Sequence, residues 1–156
     1  MPRKKITKKK EIFYDPVYNS SVVAKLINSV MQDGKKAVAQ KIVYGAMDTV
    51  KDKLKEDPLK IVLKAIENIR PHTETRSRRV GGATYQVPMD VRRERSYSLG
   101  LRWLIENARE RGGKSFLDKL VGELMDAYSL KGGAIKKKET VHKMADSNRA
   151  FAHYRW

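Results

Sequence analysis

The chain has 156 residues, 40% of them hydrophobic and none of them cysteine, and its 34 Lys plus Arg against 18 Asp plus Glu give a formal net charge of +16. Such a length suits one domain with a real core, whereas such a charge opposes folding by self-repulsion and calls for a polyanionic partner, nucleic acid or an anionic membrane face. Disulfides, thiolate metal sites and thiol nucleophiles are excluded, and no apolar run is long enough for a spanning helix or a signal-peptide core, so the chain is expected to be soluble and unexported.

Residues 1 to 10 hold six basic groups, Arg3, Lys4, Lys5, Lys8, Lys9 and Lys10, and no acid. They predict a basic arm, extended over residues 1–18, whose lysines act as point charges for phosphates of any sequence. A solubilising tail is the plain alternative. Residues 11 to 69 are nearly neutral, with nine Lys against eight acids. Within them, Asn19 or Ser20 caps a first helix carrying Val22, Val23, Leu26, Ile27, Val30 and Met31, which ends at Asp33-Gly34. A second helix buries Val38, Ile42, Val43, Ala46, Met47, Val50 and Leu54. Asp57-Pro58 then supplies an N-cap and an N1 proline for a third, through Leu59, Val62, Leu63, Ile66 and Ile69, and Pro71 stops it.

From Thr73 to Met89 the helical period disappears, Thr, Val and Tyr are frequent, and Gly81-Gly82 sits at the centre, which reads as a β-hairpin spanning residues 72–90. A two-residue turn there sets Val80 opposite Ala83, Arg79 opposite Thr84, Arg78 opposite Tyr85 and Arg76 opposite Val87. A three-residue turn would exchange the faces and still leave arginine on both. A ribbon with arginine on both faces is expected to pack only at its root and to project about 25 Å. Its guanidinium groups fork onto phosphates, and Tyr85 offers a ring for stacking on a base. A solvated surface hairpin is the alternative.

Asp90 is expected to cap a fourth helix bearing Tyr97, Leu101, Leu104, Ile105 and Ala108, ended by Gly112-Gly113. On and just beyond it, Arg102, Arg109, Arg111 and Lys114 recur near three- and four-residue spacings that share a side, although Glu106 and Glu110 are placed to pair with them. Ser115 to Asp118 forms a capping box ahead of Leu117, Leu120, Val121, Leu124 and Tyr128. After Lys131-Gly132-Gly133, residues 134–156 form a last helix and tail, with Val141, Met144 and Ala145 inward. Lys136, Lys137 and Lys138 open that helix, where the backbone dipole already attracts anions. The fold class is therefore mainly α: six helices in one domain, with one hairpin between the third and fourth.

Catalytic and metal readings fail on their own geometry. Gly113-Lys114-Ser115 imitates the end of a phosphate-binding G-x-x-x-x-G-K-S loop, but Ala108 stands where that pattern needs glycine and the context is helix to helix. His72, His142 and His153 have no zinc-ligand spacing. The acids are scattered among basic partners rather than gathered as a nuclease would need. Met31, Met47, Met125 and Met144 read as core, and the helices have too few Trp or Phe beside basic faces for a membrane surface.

Several ordered runs, MQDGKK (31 to 36), RSRRVGGATYQVP (76 to 88), LRWLIENAR (101 to 109) and KMADSNRAFAHYRW (143 to 156), resemble the bacterial family of ribosomal small-subunit protein seven, and the likeness covers essentially the whole chain. The resemblance implies a six-helix domain with a protruding ribbon that binds the 3′ major domain of small-subunit ribosomal RNA and nucleates assembly of the subunit head, without cofactor, metal, small-molecule substrate or enzymatic activity. It places the ribbon, through Arg76, Arg78, Arg79 and the tip Val80, Gly81, Gly82, Ala83, Thr84 and Tyr85, near the exit-site transfer RNA and the messenger path. Contacts with small-subunit proteins nine and eleven and a cytoplasmic location follow from it too. RNA contacts are implied for the arm, Lys35, Lys36, Arg92, Arg93, Arg95, Arg102, Arg109, Arg111, Lys114, Lys136, Lys137, Lys138, Lys143 and Arg149. Two departures stand out: Thr73 and Thr75 replace apolar β-branched residues at the ribbon root, and Arg93 replaces the proline of VRPER. The rival classes are a free architectural or regulatory nucleic-acid-binding protein that inserts its ribbon into DNA, and an RNA-modifying nuclease.

Overall fold

The structure, a computed structural model, describes residues 13–154. The elements are α1 (Ser21–Val30), α2 (Lys36–Leu54), α3 (Pro58–Ile69), β1 (Thr73–Val80), β2 (Ala83–Asp90), α4 (Arg93–Glu110), α5 (Phe116–Tyr128) and α6 (Gly133–Ser147), followed by a 3-10 turn, Arg149–Tyr154. The mainly helical class and the position of the hairpin are as expected.

Helix α5 lies at the centre, packed against α2, α3 and α4. Its Leu120, Val121, Leu124 and Ala127 join Val43, Ala46, Met47 and Val50 of α2, Ile61, Val62, Ala65, Ile66 and Ile69 of α3, and Leu101, Leu104, Ile105 and Ala108 of α4 in one contiguous core. Local signals set the ends of the helices. Asp57 accepts a hydrogen bond from the Leu59 N–H at 3.1 Å with Pro58 behind it. Ser115 accepts one from the Asp118 N–H at 3.2 Å while its hydroxyl donates to the Asp118 carboxylate at 2.6 Å.

Four expectations need correction. Asp90 does not cap α4: it pairs with Thr73 as the last residue of β2, and Arg92 takes the N-cap position. The Val91 N–H extends that pairing by donating to the His72 carbonyl at 2.9 Å. Val38, Leu63 and Met144 are exposed rather than core. Leu63 lies off the Ile61–Val62–Ala65–Ile66–Ile69 stripe, and α6 runs past the core along the hairpin, so only one side of it is covered. Residues 13–18 are not an extended arm, since residues 16–18 form a turn held by the buried Asp15 carboxylate. Finally, the hairpin packs well beyond its root.

The register is the two-residue one, with Arg79 opposite Thr84, Arg78 opposite Tyr85 and Arg76 opposite Val87. Gly81 and Gly82 both have positive φ, 57° and 90°, the left-handed pair that matches the right-handed twist of a hairpin and that a Cβ would strain. Glu74, Arg76, Arg78, Met89, Val87 and Tyr85 share one face, which α6 and the 3-10 turn flank. Val87 is fully buried on it, and the Tyr85 ring lies 5.1 Å from Phe151 and 5.3 Å from Tyr154, centroid to centroid. The C-terminal segment therefore braces the ribbon over most of its length.

Candidate nucleic-acid interface

At the hairpin root the arginines are organised by one acid. Glu74, 8% exposed, accepts from Arg76 Nε at 2.9 Å and from Arg95 Nε at 2.9 and 3.0 Å. One carboxylate thus fixes two half-exposed guanidinium groups and leaves their outer N–H groups toward solvent. A forked donor held in this way loses less freedom when it meets phosphate. Arg79 is exposed on the opposite face, Arg78 is partly buried, and the tip from Gly81 to Thr84 is exposed with Val80 half-buried beside it.

Helix α4 extends the basic surface away from the hairpin. Arg95, Arg102 and Arg109 recur every seven residues, a spacing that keeps them within about 20° per step on one face of a helix. Arg102 and Arg109 line a groove of about 470 Å³ between α4 and α1, together with Lys25, Asn28 and Ser98. Lys25 also borders an adjoining hollow toward the hairpin with Arg93 and Tyr97. Arg109 borders a further cleft of about 400 Å³ at the far end with Lys35, Lys114 and Lys119. The shared lining residues make these three hollows one track from the start of α4 to the turn between α1 and α2. Arg93, Lys25, Arg102, Arg109, Lys114, Lys35 and Lys119 face it with Glu94, Glu106 and Asp33. Among the described residues only Lys35 is paired, to Asp33 at 3.7 Å on the exposed surface, where solvent screens the pair; the others make no ion pair among them. The anticipated pairing of Arg102 and Arg109 with Glu106 and Glu110 is absent from them.

Two expected RNA contacts are instead used by the fold. Arg111 forms ion pairs with Glu123 at 3.3 Å and with Asp126, and Gly122 leaves the room its guanidinium occupies. Glu123, 1% exposed, also accepts from the Ala134 N–H at 2.9 Å, so the dipole at the start of α6 is satisfied internally. Close approach there requires Gly132 and Gly133, whose Cβ atoms would meet Glu123 and the Asn107 amide. Lys138 donates to the Asn68 carbonyl at 2.7 Å. Lys36, Arg92, Lys136, Lys137, Lys143 and Arg149 are exposed, on several sides of the molecule rather than in the track. Arg3, Lys4, Lys5, Lys8, Lys9 and Lys10 lie outside the described residues.

Sequence reasoning missed Lys25, Lys119 and Glu74. The two lysines are isolated in sequence and gain meaning only from the groove, and Glu74 immediately precedes the acid-free run that drew attention. Between the hairpin root and α6, His142 Nε2 accepts from the His72 N–H at 3.1 Å. Burial, then Lys138 and His72, hold the His142 ring below its ordinary pKa, against a weaker opposite pull from Asp146. Among the described residues no cluster of His, Asp and Glu is arranged to hold a metal ion, and no helix is long and apolar enough to cross a membrane.

The amino-acid sequence that builds this surface matches one family. Residues 2–149 match the family described as Ribosomal protein S7p/S5e. The chain belongs to it. Proteins called small ribosomal subunit protein uS7 from Thermoanaerobacter sp. (strain X514) and Nitratidesulfovibrio vulgaris (strain DP4) are 58% identical to it over 156 residues, covering 100% of both chains. One from Caldicellulosiruptor saccharolyticus is 60% identical over 157 residues, with the same full coverage. As a member of the S7p/S5e family the chain is a structural constituent of the small ribosomal subunit, and the family is one of structural proteins rather than enzymes.

Proposed function

We propose that the chain binds small-subunit ribosomal RNA directly, in its 3′ major domain, and nucleates assembly of the subunit head. The observation that carries this reading is the track of cations along α4, all but Lys35 without an ion pair among the described residues, with Arg95 of the same helix bound to Glu74 at the hairpin root. Fixed cations spaced along about 21 Å of helix suit a folded RNA whose phosphates present a matching contour, and the basic residues Arg3, Lys4, Lys5, Lys8, Lys9 and Lys10 add attraction for phosphates of any sequence. The ribbon then reaches toward the exit-site transfer RNA and the messenger path, with Arg76, Arg78, Arg79 and the Val80–Thr84 tip as its contact residues. Tyr85 belongs to that tip as well, and its ring packs against Phe151 and Tyr154. Contacts with small-subunit proteins nine and eleven complete the assignment, which puts the chain in the cytoplasm within the subunit. The test is a titration of the full-length protein against the folded 3′ major-domain RNA and against random duplex DNA at matched salt. A marked preference for the RNA is expected. Equal affinities would discard this reading in favour of a free architectural protein.

A further inference from the structure

The chain leaves two large aromatic side chains in water where nothing in the fold requires them. Phe13 is 73% exposed and its neighbour Tyr14 59%. They are not on a loose end, because the next residue, Asp15, is among the most firmly held in the molecule. Its carboxylate, 3% exposed, accepts from the Val17 N–H at 3.1 Å, the Tyr18 N–H at 3.0 Å and the Tyr44 hydroxyl at 2.6 Å. The Asp15 N–H donates to the Ser20 carbonyl at 3.2 Å. Burial and the bond to Asp15 push the Tyr44 hydroxyl up to about 12, so this anchor keeps its proton across the neutral range. Phe13 and Tyr14 lead directly into this pinned turn, and two adjacent exposed rings beside such a support mark a contact surface.

The surroundings select the occupant. Phe13 and Tyr14 wall a cleft of about 350 Å³ whose other sides include Ile27, Asn28, Lys36 and Gln40. The lining combines the two rings, the apolar Ala24 and Ile27, the carboxamides of Asn28 and Gln40 and the Lys36 ammonium, while its one carboxylate, Asp15, is already engaged by three donors, a set that suits a flat heterocycle attached to phosphate. Lys8, Lys9 and Lys10 precede Phe13 by three to five residues, within about 18 Å even for a fully extended chain. Lys36 in the lining and the lysines that precede the rings in sequence disfavour a basic or purely apolar protein segment and favour nucleic acid, in which unstacked bases are commonly received on aromatic side chains. We propose that Phe13 and Tyr14 form a stacking platform for an unstacked base of the ribosomal RNA, with Lys36 on a flanking phosphate. This rests on the RNA-binding reading above and adds a base-receiving subsite apart from the α4 track.

The experiment uses the full-length chain, the double variant Phe13→Ala/Tyr14→Ala and the reporter Phe13→Trp, with folded 3′ major-domain RNA and heparin, a polyanion without bases, as probes. The double variant is expected to lose roughly five- to a hundredfold in RNA affinity with an unchanged slope of log affinity against log salt, and to bind heparin as the wild type does. The Phe13→Trp fluorescence, taken as a difference from wild type, is expected to be quenched by RNA and not by heparin. Wild-type RNA affinity in the double variant, or equal quenching by heparin, overturns the platform. Unchanged RNA affinity with poorer uptake into subunits reconstituted from the remaining small-subunit proteins overturns it too, and assigns the rings to a protein partner. Failure of the broader reading shows separately, as a wild-type chain with no preference for the RNA over duplex DNA. Both rings are exposed, so circular dichroism is expected to be the same for all variants.

Discussion

Replacing Arg93, Arg102 and Arg109 together by Ala tests whether the track along α4 holds phosphates. All three side chains are exposed and make no ion pair among the described residues, so the helix keeps its core contacts and the melting temperature should barely move. Each cation that neutralises one phosphate adds about 0.7 (single strand) to 0.9 (duplex) to the steepness of log affinity against log salt. Three lost contacts therefore flatten the slope by about 2 to 3. Between 50 and 200 mM salt, wild type should lose roughly 20- to 40-fold more affinity than the variant over the same range. Filter binding or anisotropy with labelled 3′ major-domain RNA across a salt series measures both slopes. The charge-matched control is Lys51→Ala/Lys53→Ala/Lys60→Ala, three exposed lysines away from the track. If the control flattens the slope as much as the test variant does, attraction is diffuse and the track has no special role. An unchanged slope in the test variant would show that the groove faces solvent in the complex.

Glu123→Ala removes the buried carboxylate that pairs with Arg111 and accepts from the Ala134 N–H, and the buried Arg111 Nη1, 3.3 Å from that carboxylate, has no hydrogen-bond partner among the described residues. About 3 kcal/mol of stability should be lost, read as a lower urea midpoint at constant m-value. Tyr85→Ala separates the ribbon from Phe151 and Tyr154, where two ring pairs contribute about 1–3 kcal/mol between them. Faster chymotryptic cleavage after residue 151 with an unchanged global melt is the expected sign, and an equal cleavage rate would show that the brace is idle. Glu74→Gln should loosen Arg76 and Arg95 at a cost of only about 1 kcal/mol, because both guanidinium groups are half in water; amide exchange in the hairpin should quicken without global unfolding. His142 has a folded pKa below its ordinary 6.5, so the unfolded chain takes up the proton first as pH falls. Stability should hold above about 6.5 and decline below it until the folded ring also titrates, and His142→Gln should remove that part of the decline.

How far the sequence could be read depends on whether each signal is local. The hairpin and its centre were legible from Gly81-Gly82, a local turn signal, whereas its register, open between a two- and a three-residue turn, was decided by the structure, where both glycines have positive φ. The helix starts at Asp57-Pro58 and Ser115 were legible for the same reason, as their hydrogen bonds close within three residues. Periodicity told which stripe of a helix is apolar but not how far a partner covers it, so Val38 and Met144 were placed in a core that ends short of them. The candidate interface was legible as a set of cations and illegible as an arrangement. Arg111 and Arg109 look alike in sequence, yet one meets Glu123 and Asp126 across 12 and 15 residues while the other borders open grooves.

The same contrast shows what the acids do in a chain of this charge. Among the described residues Glu74, Glu123 and Asp15 are the buried carboxylates, and each sits at a seam: hairpin to α4, α4 and α5 to α6, N-terminal turn to α2. None of them faces the track, so they offset little of its field there. Their effect is to fix where neighbouring elements stand, and through Arg95 the first of them ties the ribbon to the helix that bears Arg102 and Arg109. An α-helix does not bend appreciably over the roughly 21 Å from Arg95 to Arg109, so the ribbon root and the far groove keep a set separation. Net charge can bring any polyanion to this surface; the fixed separation is what lets the shape of a folded RNA decide whether it stays.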